Sequence, residues 1–362
     1  MPVRPFHFDD LSDVAALHRR VGWPMRSEAG WRWMAAAPGQ AETGAPLGLV
    51  LIGDDDRPTA FLGNMVRRFR RGDETLYGAT GHSIIVPPEA RGGSRFLIDT
   101  FMAQRGLFAR YTFNANARSA PLYGRHGLSP WPQETAGLKL SWVVDPVACV
   151  MAKALRWGVD RSPILARSIG ERLTNPRVDR GHAVEWPEGI APVTDFSDSS
   201  AYGVFWEELL SEPRLMADRS PETLRWLMAD PDAPRPPLAL GFLREGRITG
   251  FALALVTKGD IVQVPSLEIL DLQALEAEEA AIPALARALI VAAPRLGAAK
   301  VRLQMVSPNV LDRLGSVAKP ARREGGWGHC HALFEGVAPD DWSPTPFDGD
   351  YPVCLRPAPK RA

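Results

Sequence analysis

The residues best suited to chemistry lie within one stretch of the chain, from Thr80 to Pro130. His82 sits in a β-rich run, Arg91-Gly92-Gly93-Ser94-Arg95 follows the paired prolines Pro87 and Pro88, and Asn116 and Tyr123 come after a further helix and strand. A strand that ends in an arginine and two glycines and then opens a helix presents unpaired backbone N–H groups and the positive end of a helix dipole, a combination that suits a pyrophosphate. Glycine permits close approach to the backbone, and Arg91 and Arg95 would flank the anion on either side of Ser94. Histidine titrates in the range useful to a general base, and strand alternation predicts that His82, Ile84 and Val86 share one face. A lone strand histidine is also a common core group, so Glu89 and His126 stand in reserve.

The elements that must position these groups follow from periodicity. Residues 2 to 8 alternate as a strand, and Asp9 or Asp10 caps a helix to about Arg20. Trp31 to Ala36 is a short helix ending at Pro38. Strands are expected over 47–52, 59–69 and 75–86, then a helix over 96–107, a strand over 110–114, a helix over 119–125 and a closing strand over 137–144. The same order recurs after about Ala191: helices over 199–210 and 221–228, strands over 238–243, 248–256 and 261–272, a helix over 277–293, a strand over 300–306 and a short helix from Ser307. This second pass has no glycine loop. Leu272 leads instead to Ala274-Leu275-Glu276-Ala277-Glu278-Glu279, whose three carboxylates repel a pyrophosphate.

The run Phe113-Asn114-Ala115-Asn116-Ala117-Arg118-Ser119-Ala120-Pro121-Leu122-Tyr123-Gly124-Arg125-His126-Gly127-Leu128 resembles the N-x-x-S/A-x-x-L-Y signature of the GNAT (N-acetyltransferase) superfamily. The segment from Arg91 resembles that family's pyrophosphate loop, with Ser94 and Phe96 in place of its small residues. The resemblance implies an α/β (α+β) chain built as tandem GNAT folds, with mixed, mostly antiparallel sheets flanked by helices and a degenerate second copy. It also implies an acyl-CoA-dependent N-acyltransferase, with the acyl-CoA as co-substrate, an amine as acceptor and no metal. Tyr123 then lies beside the thioester sulfur and protonates the departing thiolate. The pantetheine arm pairs with the fourth strand through Ile84, Ile85 and Val86, because Pro87 and Pro88 have no N–H. Asn116 would hold either the pantetheine amide or the loop after it.

The expected organisation is a catalytic domain over 1–145, a basic amphipathic linker over 146–190, the degenerate domain over 191–340 and a Pro-rich tail over 341–362 packed on the second domain. From Pro146 to Pro176 five basic residues face two acidic ones, interleaved with Trp157 and large aliphatics. Such a segment suits contact with anionic lipid and equally a two-helix linker with its apolar stripe buried. Arg67, Arg68, Arg70 and Arg71 form a basic cluster expected at a solvated hairpin tip. Across all 362 residues, 42 basic and 42 acidic side chains cancel, which excludes electrostatic binding of nucleic acid by the whole molecule. The cysteines Cys149, Cys330 and Cys354 are scattered without metal spacing, consistent with a reducing compartment. The absence of a leader-like or membrane-spanning run makes a cytoplasmic protein, peripheral to the membrane through 146–176, the expectation. The basic linker and the bulky Phe96 favour a fatty acyl donor and an amino-lipid acceptor such as a sphingoid base, a ceramide-synthase-like reaction. Acetyl transfer to an amino sugar, and non-catalytic binding of acyl-CoA, are the alternatives.

Overall fold

The structure, a computed structural model, describes residues 2–159, 162, 169, 183–259, 262–326, 328–339 and 341–354. The first half of the chain forms β1 (Val3–Pro5), α1 (Leu11–Arg20), α2 (Glu28–Ala35), α3 (Pro38–Thr43), β2 (Gly48–Ile52), β3 (Pro58–Arg71), β4 (Glu74–Ile85), α4 (Gly93–Met102), β5 (Ala109–Thr112), α5 (Ala120–Arg125), β6 (Ser129–Pro130) and β7 (Leu138–Val143). After α6 (Pro146–Val159) come β8 (Ile190–Pro192), α7 (Ala201–Leu210), β9 (Met216–Ala217), α8 (Pro221–Met228), β10 (Leu238–Arg244), β11 (Arg247–Thr257), β12 (Ser266–Ala274), α9 (Ala281–Ala292), β13 (Lys300–Leu303), α10 (Pro308–Leu314), β14 (Arg322–Gly325), β15 (His331–Phe334) and α11 (Tyr351–Cys354). Serine caps set several helix starts: the hydroxyls of Ser27, Ser200, Ser220 and Ser307 accept from the amides of Gly30, Gly203, Thr223 and Val310, satisfying donors that the helix leaves unpaired. Pro38 begins α3 at its first position instead of ending α2, since its missing N–H costs nothing there. Asp10 does not cap α1 through its side chain; its carboxylate takes two 2.7 Å bonds from Arg4 and one of 2.8 Å from the His7 amide.

The strands form two sheets with matching connectivity. One runs β1-β2-β3-β4-β5-β15-β6, with β9 paired to the far end of β3; the other runs β8-β10-β11-β12-β13-β7-β14. The pairings β4 with β5 and β12 with β13 are parallel, and those of β1 with β2, β2 with β3, β3 with β4, β5 with β15, β15 with β6, β8 with β10, β10 with β11, β11 with β12 and β13 with β7 are antiparallel. Each sheet thus receives strands from the other half of the sequence: β15 lies against β5 and β9 against β3 in the first, and β7 against β13 in the second.

The fold is therefore tandem, but its two compact units are not contiguous in sequence. The first comprises Met1–Gly137, Pro213–Asp232 and Gly325–Cys354, the second Leu138–Glu212 and Ala233–Glu324. This corrects the expected boundaries, because β7 pairs into the second sheet while 213–232 and 325–354 return to the first unit. The 341–354 segment is no tail on the second domain: Trp342, Phe347, Asp348, Asp350, Tyr351 and Val353 are all buried. Tyr111 donates to the Asp348 carbonyl at 2.6 Å and Tyr351 to that of Phe113 at 2.9 Å, and the Arg26 guanidinium holds the Val353 carbonyl at 3.0 Å. The remaining positions of the predicted tail, 355–362, lie outside the described residues, as does most of the predicted linker from 160 to 182.

The arginine cluster on β3 is also not a free basic tip. Arg67 is buried, with its guanidinium over the Phe347 ring at 4.9 Å and bonded to the Phe347 carbonyl. Arg68 meets the carboxylates of Asp218 at 2.6 Å and Glu222 at 2.7 Å, and that of Glu42. Arg71 pairs with Glu74 at 2.7 Å. Acidic partners distant in sequence neutralise Arg68, and the nearby Glu74 pairs with Arg71.

Candidate active site

The first unit contains an interrupted pairing between parallel strands. β4 pairs with β5 only from Gly78 to Thr80 but continues alongside β3 to Ile85. Residues 81–85 of β4 therefore have no strand on the β5 side among the described residues, and their peptide groups line an open edge. A bulge marks the same place, where the β3–β4 register shifts between Phe61 and Gly63 and Ser83 adopts φ +49°, a left-handed conformation costly for a residue with a side chain. An inserted residue bends a strand and re-aims the side chains beyond it. Here it overturns the expected single face: Ile84 and Val86 pack against the core cluster that includes Leu97 and Ile98 of α4, whereas His82 lies opposite Gly63 on the other side.

α4 opens directly beyond this edge. Gly92 is its N-cap at φ +91°, a conformation that glycine tolerates without a Cβ penalty. A Cβ on Gly92 would meet nothing within 4 Å, whereas one on Gly93 would strike Leu51 Cδ2 at 2.5 Å. The two glycines thus differ: Gly92 shapes the loop, and Gly93 lets α4 rest on β2. The amides that open α4 have no partner in the helix ladder, and its first turn carries no acid. Arg91 and Arg95 are exposed on either side, with Ser94 half-buried between them; Arg95 lies 3.6 Å from Asp99.

A second cluster converges on the bulge. His82 is buried, its Nδ1 3.2 Å from Ser83 Oγ and 3.6 Å from Cys354 Sγ, and its Nε2 has no hydrogen-bond partner among the described residues. Asp350, also buried, hydrogen-bonds the Cys354 thiol, which burial and the Asp350 charge hold well above the ordinary thiol range. Tyr123 on α5 is buried among Ala115, Leu128, Ala120 and Leu333, its ring 6.2 Å from that of His331. Burial first and the Asp350 charge second raise its pKa, against a hydrogen bond with Thr112. The phenol therefore keeps its proton, as an acid must until it is called on.

The bases expected from the sequence are placed as follows. Burial, then the charges of His18 and Arg26, lower the His82 pKa to about 3. Taking a proton from an ammonium of pKa ~10 would then be uphill by roughly 9 kcal/mol, which removes His82 as the direct base. Glu89 is exposed and paired with Arg20. The His126 ring meets Asp99 at 2.8 Å. Asn116 Oδ1 accepts from the amides of Arg118 and Ser119 of its own loop at 2.9 and 3.0 Å. Asp350, Cys354 and Thr112 were missed. Asp350 and Cys354 lie more than 200 residues from Tyr123, and the one sign of them is that Trp342, Phe347 and Tyr351 crowd a segment otherwise rich in proline and aspartate.

The buried His82 has a consequence for pH. Its folded pKa of about 3 lies below the unfolded value of about 6.5, so its contribution is fully present above pH ~6.5 and stability falls toward pH ~3 by about 1.4 kcal/mol per pH unit. Denaturant titrations across this window should show that slope, and His82→Gln should flatten it. A parallel slope in the mutant would mean that other groups set the acid limit.

The second unit has no counterpart to this site among the described residues. In place of the glycine loop, Arg313 donates to the Leu275 and Glu278 carbonyls at 3.1 and 2.7 Å, and the Glu278 carboxylate is held by Arg244 at 3.1 Å.

Solved structures with this architecture include a probable N-acyltransferase from Enterococcus faecalis V583 (TM-score 0.52, 12% identity, 92% of this chain and 72% of that one). A GCN5-related N-acetyltransferase from Anabaena variabilis matches with TM-score 0.51 and 14% identity over 92% and 72% of the two chains. The N-myristoyltransferase of Saccharomyces cerevisiae, solved with bound myristoyl-CoA and inhibitors, matches with TM-score 0.51 and 12% identity over 96% and 85%. The fold is the GNAT fold, used twice. No protein-family model matches the chain, and no curated protein matches it in sequence. Among the described residues of this tandem GNAT fold, no group of three or more His, Cys, Asp or Glu side chains is placed to hold a metal ion, and no helix is long and apolar enough to cross a membrane.

Proposed function

We propose that the chain is an acyl-CoA-dependent N-acyltransferase whose donor site lies in the first unit. The observation that carries this reading is the open edge of β4 beside the Gly92-capped start of α4. The edge offers peptide groups to the amide-bearing pantetheine arm in the manner of an added strand. The α4 amides, with Arg91, Gly92, Gly93, Ser94 and Arg95, offer donors and positive charge to the pyrophosphate. The amine attacks the thioester carbonyl, and the carbon–sulfur bond breaks as the amide forms. Tyr123 gives its proton to the leaving sulfur, and the buried carboxylate of Asp350 takes the proton from the nitrogen after attack on the carbonyl has made it far more acidic than a free ammonium. Return of that proton to the Tyr123 phenolate resets the site.

For the substrates, the favoured reading is a fatty acyl donor and an amino-lipid acceptor such as a sphingoid base. Its support is α6, where Val147, Val150 and Trp157 are 68%, 67% and 70% exposed beside Lys153 and Arg156, a pattern suited to an anionic lipid surface. Phe96 lends this reading no support, because it is exposed on α4. Free thiol release should occur when palmitoyl-CoA and sphinganine are offered together and not when either is omitted. Release with acetyl-CoA and glucosamine instead would make the chain an amino-sugar acetyltransferase; no acceptor-dependent release would leave a binding protein.

Gly92→Val tests the phosphate assignment. A β-branched residue at φ +91° distorts the loop that aims the amides, so the dissociation constant for acyl-CoA should rise tenfold or more, a loss of about 1.4 kcal/mol. Unchanged affinity in the folded variant would move the phosphates elsewhere.

A further inference from the structure

Among the described residues of the first unit, Phe96 is the one aromatic side chain that stands exposed: it is 41% accessible, whereas the others are buried or half-buried. A single apolar side chain in solvent is ordinary, but the place of this one is particular. Phe96 is the fourth residue of α4 and comes four places after the N-cap Gly92, and residues four apart on a helix lie one above the other on the same face. Helical side chains lean toward the helix N-terminus and cover the turn before them. The Phe96 side chain is therefore directed toward the Gly92 loop and the free amides that open α4. A Cβ on Gly92 would meet nothing within 4 Å, so the loop itself is open. Arg91 and Arg95, both exposed, are close by in the chain; Arg91 makes no ion pair among the described residues, and Arg95 lies 3.6 Å from Asp99.

An accessible aromatic face one helical turn, about 5.4 Å, from amides that suit phosphate matches the make-up of a nucleotide. Its base stacks on an aromatic ring, and its phosphates take N–H donors and positive charge. We infer that Phe96 is the stacking platform for the purine base of the acyl-CoA donor. The inference rests on the donor-site reading above and extends it to the nucleotide end of the donor: the site distinguishes a CoA thioester from the same acyl group on a bare phosphopantetheine arm. An acyl chain suits this place less well, because the exposed cations Arg91 and Arg95 are better matched to the phosphates that a nucleotide carries than to hydrocarbon.

Calorimetric titration of the full chain with palmitoyl-CoA and with S-palmitoyl-4′-phosphopantetheine tests the inference. Wild-type protein should bind palmitoyl-CoA the more tightly. Phe96→Ala should weaken palmitoyl-CoA binding about tenfold, the scale of one lost base–aromatic stack, and leave the affinity for the phosphopantetheine thioester unchanged. Phe96→Trp, which keeps an aromatic face, should bind palmitoyl-CoA at least as well as wild type. Unchanged palmitoyl-CoA affinity in Phe96→Ala would overturn the inference, and so would an equal loss for both thioesters, which would make Phe96 a residue that shapes the loop. In either case the response of palmitoyl-CoA binding to Gly92→Val still decides the donor-site reading on its own. Wild-type protein that binds neither thioester would remove the donor site and this assignment with it.

Discussion

Tyr123→Phe should lower the rate of acyl transfer by on the order of 10²-fold, the effect expected for loss of a general acid, while acyl-CoA affinity barely changes. The substitution removes one oxygen and keeps the ring that packs against Ala115 and Leu128. Loss of the hydrogen bond with Thr112 should cost only about 1 kcal/mol of stability. The raised pKa is what makes the group fit the role: a phenol kept protonated at every working pH is always ready to donate, and the forming thiolate is strong enough a base to draw the proton at the moment of cleavage. The pH–rate profile should therefore show no fall assignable to Tyr123 below pH ~9. Wild-type turnover in well-folded Tyr123→Phe protein would reduce Tyr123 to a packing residue.

Asp348→Ala should destabilise the first unit by about 3–5 kcal/mol, the range for breaking a buried ion pair from one side. Asp348 meets Arg219 at 2.6 Å with both side chains 1% exposed. Its second oxygen accepts from Trp342 Nε1 and the Thr345 amide, both at 3.0 Å. The mutation strips the carboxylate from a guanidinium that is otherwise enclosed, next to the Phe347 ring at 4.8 Å. Asp350 lies two residues further on, so loosening this anchor should also lower activity in protein that remains folded. Urea denaturation measures the first effect, and Arg219→Met combined with Asp348→Ala should recover part of it. A loss under about 1 kcal/mol, the scale of an exposed pair, would show that the anchor is not what holds the segment.

The strand order within each half was legible because alternation and turn residues are local signals: the predicted strands over 47–52, 59–69 and 75–86 differ from β2, β3 and β4 by one or two residues at the ends. The exchange of β7 and β15 was not. A strand of four residues such as His331–Phe334 has the same pattern whichever sheet receives it, and only long-range pairing decides. The bulge at Ser83 escaped for a related reason, since nothing in His82-Ser83-Ile84-Ile85 marks the extra residue that turns His82 away from Ile84. The glycine loop was legible as chemistry, but the division of labour between Gly92 and Gly93 depends on Leu51, which sequence does not place there. The proposed proton acceptor was missed because Asp350 looked like one more acid in a proline-rich end; it is buried in a segment whose neighbours Asp348, Tyr351 and Val353 are held by Tyr111, Phe113 and Arg26 only in the fold.

Calorimetric titration of palmitoyl-CoA into the full chain tests the central claim most directly. The account predicts a stoichiometry near one per chain, lost or strongly weakened by Gly92→Val and unaffected by Arg313→Ala, which empties the space before α9. A stoichiometry near two, or one site that responds to Arg313→Ala and not to Gly92→Val, would contradict it.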